Sequence, residues 1–277
     1  MEIAIPVFFA LALWWLSTGI VLFAARVKPP SHRIVLAIGA VVAVAALTAI
    51  AVCAGSTSVG AAYVAFTAAI LVWGFVELTF LTGTVIGTHR ETCPEGLTGW
   101  RRMRHATMAI LHHEIALLCG GLAIAVASHG AANTLALATY AVLWLMRLVA
   151  KLNLFLGVPN LHDELLPKPA AHLRSHFRRG PASLRLYLSI LLPMMAAAYL
   201  LYSAATAPTE FAAAYGALLA ALLALAALEH GFMLIPVPLM NMWDWGSRAS
   251  RKSPDTPLAL SSLAIRPKPD PSLPRRG

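Results

Sequence analysis

The sequence predicts an all-α, polytopic transmembrane bundle of about seven spans, and three observations predict it. The 277 residues are 59% hydrophobic and only 12% charged, with a mean hydropathy of +0.73; a soluble domain carries about 25% charged residues. Apolar stretches long enough for a hydrocarbon core of about 30 Å recur along the chain. The basic residues fall almost entirely in alternate connections.

In order, the spans are expected over residues 4–25, 34–54, 61–88, 104–127, 134–157, 183–203 and 210–235. The first has no positively charged segment before it and no small-residue cleavage site, so it reads as a spanning helix rather than a removed signal peptide. The second and third are joined by GSTSVG, the fourth and fifth by SHGAAN, the sixth and seventh by APTE, and none of these carries Lys or Arg. The third ends in LTGTVIGTH, a Gly/Thr pattern that suits close helix packing or hydrogen bonding to backbone. Of the 21 basic residues, all but Arg147 and Lys151 lie on the side of the other connections and the tail. The positive-inside rule then places the N-terminus outside and the C-terminus in the cytoplasm, the split an odd number of spans requires. The net charge of +9 is thereby assigned to topology and membrane lipid, not to nucleic acid.

The connection 158–182, with four prolines, reads as a solvated, positively charged loop that could also lie on headgroups or meet a partner. Residues 1–246 form the transmembrane domain; residues 247–277 are expected to be a disordered, basic, Pro-rich cytoplasmic tail. Trp100, Trp243 and Trp245 read as interfacial anchors. Cys53, Cys93 and Cys119 lack metal-type spacing and read as ordinary apolar-phase thiols.

Function has to be sought in ionisable groups inside the spans, which persist only if they pair, bind something or line a cavity. These are Glu77, His112, His113, Glu114, Arg147, Lys151, Glu229 and His230. Counted along their helices, they fall between mid-bilayer and the cytoplasmic interface, which predicts one intramembrane polar cluster. Four readings stay open. Arg147 and Lys151, i and i+4 on one helix face, could neutralise two of the three glutamates. The set could hold an iron-type metal, with His112, His113, Glu114, Glu229 and His230 as candidates, although Glu114 turns away from His112 and no helical Glu-x-x-His pair occurs in the spans. A single histidine could be the axial ligand of a chlorophyll-type magnesium or a haem. The groups could also form a proton or solute path. No P-loop, dinucleotide fingerprint, nucleophile elbow or haem-attachment motif is present, and no catalytic residue is assigned.

The stretches FVELTFLTGTVIGTHRETCPEG, HHEIALL and WLMRLVAKLNLFLGVPNLHDELLP resemble the PuhE-type photosynthetic complex assembly proteins of phototrophic bacteria, over about residues 1–245. The resemblance implies a multi-pass protein of the bacterial cytoplasmic (inner or intracytoplasmic) membrane, acting in assembly of the reaction centre and light-harvesting complex and in bacteriochlorophyll supply. It implies reaction-centre or light-harvesting subunits as partners and carries no catalytic residue. The alternative is a metal-dependent membrane oxidoreductase of pigment biosynthesis using the intramembrane His/Glu cluster; a proton-coupled carrier is the third class.

Overall fold

In the computed structural model, residues 3–161 and 166–236 are described. Among the described residues seven helices are long and apolar enough to cross a membrane: α1 (Ala4–Ala25), α2 (Pro29–Cys53), α3 (Val59–Leu81), α4 (Gly99–Ala127), α5 (Leu135–Leu156), α6 (Leu184–Ala205) and α7 (Glu210–Phe232). A 3₁₀ helix, Lys168–His176, lies between α5 and α6. Among the described residues there is no strand, only an isolated bridge between Val158 and Arg179. The protein is thus a multi-pass, all-helical membrane protein. The tail from residue 247, with Trp243 and Trp245, lies outside the described residues.

α3 and α7 form the centre: 67% and 61% of their spanning windows are buried, against 11% for α1 and 17% for α2. Small residues make this possible. α7 buries a row of alanines with Gly216, where a Cβ would meet the Leu200 carbonyl oxygen and Ala204 Cβ of α6 at 3.1 Å. A Cβ on Gly120 would lie 2.4 Å from the Tyr140 hydroxyl, so glycine leaves room for that ring, whose O–H donates to the Leu117 carbonyl at 2.9 Å. Helix starts follow local chemistry. Ser58, Ser183 and Thr209 cap α3, α6 and α7 by accepting from Ala61, Leu186 and Ala212 N–H.

The connections gather at two ends. At one, the Asn133 side chain donates to Ala61 O, its N–H donates to Ala54 O, and Thr134 meets Tyr215. At the other, here called the basic face, the α3–α4 loop, the 3₁₀ helix and the end of α1 share a core of Ala25, Ile86, Ala109, Ala170 and Leu173. The 157–182 connection is therefore not simply a solvated loop. Its 3₁₀ helix buries Ala170, Leu173 and His176, and Arg178 N–H donates to Leu154 O, tying its far end to α5.

The third span also differs from expectation. α3 ends at Leu81, and residues 82–88 turn back along α4 instead of continuing the helix. Gly83, at φ 80°, makes the turn. Thr84 and Val85 N–H donate to Thr79 O, while Thr88 N–H donates to Met108 O and His113 N–H to Ile86 O, both at 2.9 Å. At Gly87 a Cβ would stand 2.4 Å from the Met108 and Ala109 carbonyl oxygens. The Gly/Thr pattern therefore encodes a strap that folds back along α4, tied to it by backbone hydrogen bonds.

Candidate functional site

Glu77 sits about one turn before the end of α3, on a helix buried on most sides, and is 8% exposed. Arg147 Nη2 of α5 donates to its Oε2 at 3.2 Å, and His113 Nε2 of α4 lies 3.7 Å from its Oε1. One turn along α5, Lys151 Nζ donates to Glu114 Oε1 at 2.5 Å. The i, i+4 spacing of the two cations matches one carboxylate from each neighbouring helix, so α3, α4 and α5 are joined by two ion pairs. Glu77 is the buried member of the first pair, while Lys151 and Glu114 are each partly buried, at 18% side-chain exposure.

His113 is fully buried, with its ring 4.2 Å from that of Phe80. Neither of its ring nitrogens has a hydrogen-bond partner, nor has Glu77 Oε1 or Arg147 Nε. Towards α7 the centre opens. The Arg147 side chain is 39% exposed, and Glu229, within electrostatic reach of it, is exposed as well. His230 turns the other way; its Nδ1 donates to Ser189 O of α6 at 2.9 Å, beside a 3.0 Å bond from Asn153 to Ser189 Oγ.

The structure therefore brings Glu77, His113, Glu114, Arg147 and Lys151 together and puts Glu229 at their edge. It places His112 on the exposed face of α4 and gives His230 to the α6 packing. The five metal candidates of the sequence do not converge among the described residues, because Lys151 takes Glu114, His113 turns to Glu77, and His112 lies on another face.

A metal-type group does occur, at the basic face, where sequence reasoning did not place one. Donor atoms of Cys93, His105 and His176 all lie within 4.8 Å of one another. His105 Nδ1 is 2.9 Å from His176 Nε2, and the His89 ring lies 4.5 Å from that of His105, tilted by 40°. Burial, followed by the neighbouring His105 and His172, pulls the His176 pKa down to about 4, so this imidazole is neutral at physiological pH. Cys93 lies in the α3–α4 loop rather than in a span, so the reading of all three cysteines as apolar-phase thiols fails for it. The available signal was the density of histidines in the two connections of the basic side. The pairing spans 71 residues and has no local spacing to betray it.

The family described as a protein of unknown function (DUF3623) matches residues 1–254. An uncharacterized 30.4 kDa protein of Rhodobacter capsulatus, named for its place in the puhA 5′ region, is 38% identical over 237 residues, covering 84% of this chain and 86% of that protein. No solved structure matches the chain.

Proposed function

The chain belongs to the DUF3623 family, and from that premise we propose that it is an integral membrane assembly factor for the bacterial photosynthetic apparatus. Two things point to that process: the PuhE-type resemblance of its most distinctive segments, and the place of its Rhodobacter capsulatus relative in the puhA 5′ region. The observation that carries the mechanistic reading is the partly exposed edge that Arg147 and Glu229 form on the bundle. A charged side chain turned to hydrocarbon costs about 2.5–3.5 kcal/mol even on permissive scales. A client helix carrying a polar group would cover that edge and relieve the cost. The inner ion pairs keep α5 in the setting that presents it.

In this reading the basic face is cytoplasmic, as the charge asymmetry demands, and the protein resides in the inner or intracytoplasmic membrane. Reaction-centre or light-harvesting subunits are the clients, and bacteriochlorophyll is the cargo that could accompany them. The test is capture of the full chain from phototrophic membranes. Reaction-centre or antenna subunits should co-purify with the wild type and be depleted with Glu229→Leu. A deletion strain whose complexes and pigments stay at wild-type levels would overturn the proposal. An absorption spectrum of the captured protein reports whether pigment travels with it.

A further inference from the structure

We propose that Cys93, His105 and His176 form a transition-metal site of zinc type, which fastens the α3–α4 loop, the start of α4 and the 3₁₀ helix together at the basic face. The three donors come from three separate segments, yet their ligating atoms lie within 4.8 Å of one another. Ligands about 2.0–2.3 Å from a tetrahedral zinc stand about 3.3–3.7 Å apart, so the set needs to close by only about 1 Å. The two imidazole nitrogens, 2.9 Å apart in a hydrogen bond, would part by about 0.4 Å to take up that spacing. One sulfur and two imidazoles make a donor set that favours zinc, cobalt or copper over magnesium or calcium.

The surroundings are built to hold the donors. Ser175 Oγ accepts the Cys93 N–H at 2.8 Å, donates to His172 O at 2.7 Å, and lies 3.4 Å from His176 Nδ1. A proton on His176 Nδ1, facing that hydroxyl, leaves the Nε2 lone pair for a metal, the usual outer-shell arrangement of a ligating histidine. Arg102 is 6% exposed, clamps His176 O with Nη2 and Phe155 O with Nη1, and stacks on the Phe155 ring at 4.1 Å. His89 Nδ1, beside His105, is buried and makes no hydrogen bond.

Binding is a ligation without redox change. The Cys93 thiol gives its proton to water and becomes the thiolate ligand. The His105 proton moves from Nδ1 to Nε2, so that Nδ1 ligates. Three protein donors leave the fourth position for water.

The experiment uses the purified full chain in detergent, stripped with chelator and titrated with cobalt(II), then with zinc(II) as competitor. One cobalt per chain should bind, with a thiolate-to-cobalt charge-transfer band and tetrahedral ligand-field bands, and zinc should displace it. Cys93→Ser should lose the charge-transfer band, and His176→Ala should weaken zinc binding by at least about tenfold, while Cys53→Ser and Cys119→Ser leave both unchanged. Zinc should also raise the melting temperature of the stripped wild type but not of Cys93→Ser. That variant stays informative if His176→Ala fails to fold, because Cys93 lies in a loop. No cobalt bound, cobalt bound without a thiolate band, or a Cys93→Ser protein that binds as the wild type does would each overturn the site.

Discussion

The ionisable centre inside the bundle and the His/Cys group at the basic face solve opposite problems. Inside, α3, α4 and α5 meet charge with charge: Arg147 on Glu77, Lys151 on Glu114. At the face, the gathered groups are imidazoles and a thiol, which can stay neutral near water and keep lone pairs for a ligand. The difference teaches that inside the bundle the strong charges of α3, α4 and α5 are matched in pairs, with Glu229 left at the edge, while the basic face gathers donors that can stay neutral.

The comparison is broken most severely by removing half of an inner pair. Glu77→Leu alone strands Arg147 and should cost about 3–5 kcal/mol, seen as a collapse of thermal stability in detergent. Glu77→Leu with Arg147→Leu should recover most of that loss. If the double variant is as unstable as the single, the pair is not what holds α3 to α5. Gly87→Ala comes next, at about 1–3 kcal/mol, because its methyl would press on the Met108 and Ala109 carbonyls and lift the strap from α4. Hydrogen exchange at Thr88 and His113 amides should rise with it, and unchanged protection would contradict the strap.

Smaller effects sharpen the contrast. Glu210→Leu, in the first turn of α7, should lose about 0.3–1 kcal/mol of helix-terminus stabilisation and leave client capture intact. Glu229→Leu should instead reduce capture several-fold; equal effects from the two would refute a special edge at α7. Smallest of all, Cys93→Ser in metal-stripped protein should change stability by no more than about 0.5 kcal/mol, since the change is nearly isosteric at a half-buried loop position. A large loss would make Cys93 a structural residue rather than a ligand.

Much of this was legible in one dimension. Hydropathy is a local sum, so all seven spans were readable from composition windows, as was the alternation of basic and neutral connections. The spacing of Arg147 and Lys151 showed that two glutamates could be neutralised on one face. It did not say which two, since that depends on how α3 and α4 are rotated against α5. Nor was the end of the third span placed correctly: residues 82–88, with Gly83 and Gly87 among three threonines, turn back against α4 instead of continuing the helix.

By itself, then, the sequence determined the class, the number of crossings and the cost of each buried charge, because lipid imposes those terms residue by residue. Tertiary structure alone decided the partners. Choosing Glu77 for Arg147, sending His112 outward, and bringing Cys93 to His105 and His176 all depend on helix rotation and loop return, which are settled by contacts between segments tens of residues apart.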